Sequence, residues 1–162
     1  MPRLSLAVLL LITTFFSACQ SKYDEQMPAD FSFVYQTIPL DVYDSAKGTY
    51  TKHYVRGDSV RHIPLSFAQK KAFYRAFCEA DFMHFPEEFD CSSGGFAFFS
   101  HILTIRYKGI VKRVTYNPAC RPSPLEWIKV KRFEELTSQL WDWISKQKGI
   151  KEMPAPEGLE IM

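Results

Sequence analysis

Through the middle of the chain, apolar and polar residues come in short alternating runs, and twice the pattern switches to a three- and four-residue period. Phe31 to Ile38 is aromatic and β-branched and is ended by Pro39, which predicts a strand. Asp41-Val42-Tyr43 reads as extended, and Asp44 to Gly48 carries turn residues at both ends. Thr49 to Val55 predicts the returning strand. Gly57-Asp58 predicts another turn, with a short strand over Val60 to Ile63. The period then changes. Ser66 with Gln69 three residues later is a capping-box signature, and Pro64 stops the strand before it. Phe67, Phe73, Tyr74 and Phe77 share one broad helical face, opposite Lys71, Arg75 and Glu79. This predicts an amphipathic helix to about Ala80, which Phe85-Pro86 forbids from continuing.

Ile102 to Tyr107 and Ile110 to Tyr116 flank Lys108-Gly109, a two-residue hairpin signal. In that register Leu103, Ile105, Tyr107, Ile110 and Val114 share one face, and Thr104, Arg106, Val111, Arg113 and Thr115 the other. Lys112 falls on the apolar face, as expected of an edge strand where its stem can snorkel. Ser123, Pro124 and Glu126 give a second capping signal. Phe133, Leu136, Leu140, Trp143 and Ile144 then keep a helical step, which Gly149 is expected to close. The tail from Ile150 holds two prolines and is expected to lie extended over the domain or to be disordered. The order is strands, helix, hairpin, helix. It predicts an α+β fold, a mostly antiparallel sheet with two helices packed on one face.

The first nineteen residues follow a different rule. Arg3 is followed by an apolar run from Leu4 to Phe16, too short to span a bilayer, and then by Ser17-Ala18-Cys19. Two small residues before a cysteine resemble the lipobox of bacterial lipoproteins. That resemblance implies cleavage after Ala18 and acylation of Cys19. The expected organisation is a signal peptide over 1–18, a lipidated tether over 19–30, one α+β domain over 31–149 and a tail over 150–162. Gln20 stands where an Asp would retain the protein at the inner membrane in the enterobacterial pattern. The resemblance therefore implies an outer-membrane location, on its periplasmic or surface face.

Without residues 1–18 the chain loses one basic residue and no acidic one, leaving a net charge of about +1. So neutral a chain argues against nucleic acid as a partner. Some 145 residues suffice for a hydrophobic core, and no metal is required for folding. Fourteen phenylalanines are first of all core-packing material. Three cysteines follow Cys19, and an oxidising compartment makes one pair plausible. Cys91 and Cys120 flank the hairpin in loops and are the expected disulfide. Cys78 sits on the flank of the first helix as a buried thiol, and Cys78–Cys91 is the competing pairing.

A wider resemblance rests on Val42-Tyr43-Asp44-Ser45-Ala46-Lys47-Gly48-Thr49-Tyr50-Thr51, Pro64-Leu65-Ser66, Asp81-Phe82, Phe85-Pro86, Ile105-Arg106-Tyr107-Lys108-Gly109 and Met153-Pro154. Over residues 40 to 156 the chain resembles a family of small secreted bacterial lipoproteins. These motifs are turns, caps and a hairpin, and the resemblance implies no activity, catalytic residue or cofactor.

Candidate chemistry is correspondingly sparse. Cys91-Ser92-Ser93-Gly94-Gly95 lacks the flanking glycines of a nucleophile elbow. A triad of Ser92 or Ser93 with His84 and Asp90 is the basis of an alternative reading as a small envelope hydrolase. His53, His62, His84 and His101 show no zinc-protease spacing, and no metal site is expected. The best binding candidates are Arg106 and Arg113 on the hairpin's polar face, with His101 nearby, where guanidinium groups can hold an anion. The leading expectation is a non-enzymatic, lipid-anchored domain that binds or scaffolds an envelope macromolecule. An inhibitor or immunity-type role is a further alternative.

The lipobox generates a direct test. Mass spectrometry of the protein from its native host should show residues 1–18 absent and Cys19 acylated, and Cys19→Ser should release it from membranes. Stable anchoring needs more than one acyl chain, since each buried methylene contributes only about 0.8 kcal/mol. Unmodified, soluble protein would refute the assignment.

Overall fold

The computed structural model describes residues 26–37, 41–54, 56–89, 100–119 and 122–154. Six strands, β1 (Ser32–Thr37), β2 (Asp41–Asp44), β3 (Thr49–Tyr54), β4 (Gly57–His62), β5 (His101–Tyr107) and β6 (Ile110–Tyr116), form one sheet. Its order is β4-β3-β2-β1-β5-β6, and every strand pair is antiparallel. Helix α1 (Phe67–Glu79) follows β4, and a 3-10 turn (Phe82–His84) follows α1. Helix α2 (Trp127–Ser145) and the short α3 (Lys148–Lys151) follow the hairpin. The α+β architecture with an antiparallel sheet and two substantial helices is as the pattern of residues predicts.

Local chemistry explains most boundaries. The Ser66 hydroxyl accepts from Gln69 N–H at 3.3 Å while Ser66 N–H donates to Gln69 Oε1 at 2.8 Å, a complete capping box. At the β5–β6 turn Lys108 and Gly109 have φ of 49° and 75°, the left-handed pair that a tight two-residue hairpin needs. Asp30 clamps this turn from outside, accepting from Gly109 N–H at 2.7 Å and Lys108 N–H at 3.1 Å. The Gly109 bond is the largest influence holding the Asp30 carboxyl below its ordinary pKa. The hairpin register is the expected one, Tyr107 opposite Ile110 and Ile105 opposite Lys112. Lys112 sits on edge strand β6, half-buried.

Elsewhere the structure corrects the reading. Gly57 and Asp58 belong to β4 rather than to the turn before it. The Ser123-to-Glu126 signal does not cap: Ser123 O accepts from Glu126 and Trp127 N–H, and α2 begins at Trp127 with no side-chain cap. Gly149 does not close α2, which ends at Ser145, but lies within α3. Nor is the start of the tail extended. Met153 is buried in the core, and Tyr54 Oη donates to Pro154 O at 2.8 Å. The described residues contain no disulfide, and Cys78 is a free thiol, which overturns the competing Cys78–Cys91 pairing. Its place on α1 lets it pack as a small hydrophobe, and burial pushes its pKa up despite a hydrogen bond with Tyr74. Cys91 and Cys120, like Cys19, lie outside the described residues.

Pairing and pleat put Phe33, Tyr35, Tyr43, Tyr50, Leu103, Ile105, Val114 and Tyr116 on one face, and both main helices cover it. The packing is aromatic against aromatic. Phe33 meets Phe73 and Phe77 of α1 with ring centroids 5.5 and 5.4 Å apart, and Tyr43 meets Trp143 of α2 at 5.3 Å. Phe89, Tyr116 and Phe133 form a triangle of edge-to-face contacts at 5.7–5.8 Å.

Gly48 shows how tightly the β2–β3 turn closes on the entry to α1. Its φ is +62°, and an added Cβ would stand 2.9 Å from Pro64 Cα. Gly48→Ala combines a left-handed strain with a clash against backbone, and should cost about 1–3 kcal/mol. Urea unfolding measures this; a midpoint unchanged from the parent would show that the turn relaxes freely.

Candidate functional site

A tyrosine in the core carries a hydroxyl that needs a polar partner. Three of the sheet tyrosines on the covered face, Tyr35, Tyr43 and Tyr116, meet this need, and in doing so bring polar groups under the helices. Tyr43 Oη donates to Ile63 O at 3.2 Å. Burial, and after it the neighbouring Asp41 carboxyl group, raise the pKa of the Tyr50 hydroxyl. Tyr35 Oη and His101 Nδ1 share a hydrogen bond of 2.9 Å, and Tyr116 Oη donates to Glu134 Oε1 at 2.8 Å. Burial raises the pKa of all four hydroxyls, so they stay protonated and act as fixed donors and spacers.

Two of these pairs, together with Asp41, line one cleft. It has a volume of about 400 Å³ and lies between the His101 end of the sheet and the middle of α2. Tyr35 and His101 come from neighbouring strands, Asp41 begins β2, Tyr116 ends β6, and Glu134 and Trp141 face them from α2. Thr37, Thr137 and Ser138 add hydroxyls to the wall. Thr137 is satisfied internally, donating to Phe133 O and Glu134 O at 3.1 Å each. Trp141 remains 40% exposed at the cleft, a large apolar ring left in contact with solvent. One oxygen of the cleft lining is unsatisfied: Asp41 Oδ1 is buried and has no hydrogen-bond partner.

The candidate residues read from the sequence are separated by this architecture. His101 is opposite Tyr116 and follows Leu103's side of the pleat, so it faces the helices and the cleft. Arg106 and Arg113 are exposed on the other face, where their cross-strand neighbours are Val111 and Thr104. The expected grouping of His101 with the two arginines is therefore corrected: period-two alternation places an odd-numbered β5 residue away from Arg106. His84, offered for a triad, is exposed and pairs with Asp81 at 2.6 Å. Asp90, Ser92 and Ser93 lie outside the described residues, as does the whole 91–95 loop. Asp41, Glu134 and Trp141 carry no local motif, and sequence reading missed them. The available signal was an acidic residue, Asp41, starting a strand whose neighbours are tyrosines.

Among the described residues, no group of three or more histidine, cysteine, aspartate or glutamate side chains is placed to hold a metal ion. A second, smaller pocket of about 110 Å³, lined by Phe31, Tyr74, Cys78 and Tyr107 among others, is almost wholly apolar.

Burial pulls the pKa of His101 below its ordinary value, against an opposing influence from Glu134. The native ring stays neutral while the unfolded chain takes up a proton below about pH 6.5. The unfolded state then binds more protons, so stability holds above about pH 6.5 and falls as the pH drops through the depressed native value. Melting temperatures between about pH 7.5 and 5 should therefore fall more for the parent protein than for His101→Gln. Parallel pH profiles would show that His101 is not held neutral.

Compared with known proteins, the chain matches no protein-family model and no curated protein, so what it does has to be argued from this cleft.

Proposed function

We propose that the protein is a non-enzymatic binding domain of the bacterial envelope, anchored through a lipid on Cys19 at the outer membrane, that takes a group of its partner into the cleft between the sheet and α2. The observation that carries this reading is the combination of a partly exposed Trp141 with the Asp41 and Glu134 carboxyl groups in the lining of one cavity. Concave sites with an apolar wall and a few convergent polar groups are where proteins hold ligands. The acid–base groups there are engaged otherwise: His101 is tied to Tyr35 and Glu134 to Tyr116. Such pairs fix the shape of a receptor and leave neither group poised beside a nucleophile. On the other face of the sheet Arg106 and Arg113 are exposed to solvent.

Two variants separate the surfaces. Trp141→Ala should weaken capture of the envelope partner about thirtyfold or more, in line with the weight a tryptophan carries at a binding site, about 2 kcal/mol or above. Arg106→Ala with Arg113→Ala should leave capture within about twofold, since exposed charges contribute little. Quantitative pull-down from envelope extracts reads both. The reverse ranking would move the binding surface to the open face of the sheet.

A further inference from the structure

We infer that the cleft receives a cationic group on an alkyl stem, an alkylammonium or guanidinium, with Asp41 and Glu134 as its counter-charges. This rests on reading the cleft as the binding site. The charge inventory is one-sided: two carboxyl groups line the cavity, and no lysine or arginine does among the described residues. His101 does not offset them, because its Nδ1 is engaged by Tyr35 and its ring is held neutral. Lys52, opposite Asp41 in the β2–β3 pairing, is outside the lining and sets its ammonium over the Tyr54 ring at 5.6 Å, so an anionic ligand would meet like charge in the cleft.

Donor and acceptor capacity point the same way. Both carboxyl groups offer acceptors: no donor of the described residues reaches Asp41 Oδ1, and Tyr116 bonds Glu134 through Oε1. An ammonium or guanidinium is donor-only and complements such a site; a carboxylate or phosphate is acceptor-only and does not. The walls suit a cation as well. Trp141, Tyr35 and Tyr116 line the space, and aromatic faces attract ammonium and guanidinium groups, tryptophan most strongly. A cavity of about 400 Å³ is far larger than an ammonium head alone, so the cation arrives on an apolar stem that can lie along Trp141. A bare metal ion is a poor occupant, since the described residues bring no third ligand to the two carboxylates.

The same chemistry is offered by a free alkyl diamine and by a lysine side chain of a partner protein. Three probes titrated into the isotope-labelled mature chain distinguish them by NMR: cadaverine, Nα-acetyl-lysine methylamide and hexanoate. At least one amine should shift the Trp141 indole N–H and the backbone amides of Asp41 and His101, whereas hexanoate should not. Tighter binding of the blocked lysine assigns the site to a protein side chain, and tighter binding of cadaverine to a free amine. Asp41→Asn and Glu134→Gln, each checked for an unchanged melting profile, should weaken the amine about tenfold, the size of one charge-assisted contact. Glu134→Gln keeps an acceptor for Tyr116 and stands as the second variant if Asp41→Asn does not fold. Hexanoate binding as tightly as the amines, amine shifts that map elsewhere, or undiminished affinity in the folded variants would overturn the assignment. If no amine binds while Trp141→Ala still abolishes partner capture, the cation assignment fails and the cleft remains the binding site. If Trp141→Ala also leaves capture intact, both readings fail.

Discussion

A layer of aromatic rings between one sheet face and two helices holds this domain together. Phe31, Phe33, Tyr43 and Tyr116 from the strand side meet Phe73, Tyr74, Phe77, Phe133 and Trp143 from the helices at centroid distances of 5.1–5.8 Å. Each buries a large apolar area, and the tilted and edge-on geometries add to that burial. Because rings interlock along a whole face, the sheet cannot slip by one residue without turning every one of them to the other side. The capping box at Ser66 and the Asp30 clamp on the hairpin turn are small local terms beside this layer, and they fix where its parts begin.

The same layer creates the polar cleft. A core built of phenylalanine alone would need no buried acceptors, but tyrosines at Tyr35, Tyr50 and Tyr116 bring hydroxyls under the helices. His101 and Glu134 answer two of them, and the Asp41 carboxyl group neighbours the third. Most of this network is structurally satisfied, which is why the groups stay where they are. What packing leaves unexplained is the remainder: an Asp41 oxygen without a donor and a tryptophan half in solvent beside it. A second unpartnered group, Trp143 Nε1, is buried where the indole packs against Tyr43 and Phe73. Its environment is one of rings, so it reads as a cost of packing an indole there rather than as part of a site.

The two faces of the sheet thus have different characters. The covered face carries burial, order and an acidic, aromatic-lined recess. The open face carries threonines, valines and the exposed Arg106 and Arg113, with His53 and Asp58 paired across β3 and β4 at 2.7 Å. Sequence alternation separates the faces correctly for the hairpin. It also carries the information that His101 belongs with Leu103, although proximity in sequence to the threonines and Arg106 suggests otherwise.

By itself the sequence determined the elements whose causes are local. Period-two runs gave the strands, Lys108-Gly109 the hairpin and its register, Ser66 and Gln69 the start of α1, and the three- and four-residue spacing of Phe133 to Ile144 the body of α2. Short-range energetics decide these features. Tertiary structure decided where competing local signals cancel or where partners are distant in the chain. Ser123 and Glu126 have capping chemistry, but the backbone there forms a turn and α2 starts at Trp127. The tail is polar and proline-bearing, yet Met153 finds room in the core. The cleft is the extreme case: Asp41 and Trp141 stand one hundred residues apart in the chain, and only strand order and the path of α2 across the sheet bring them to one cavity. No periodicity records such an encounter, because the free energy that fixes it belongs to the packing of the whole aromatic layer.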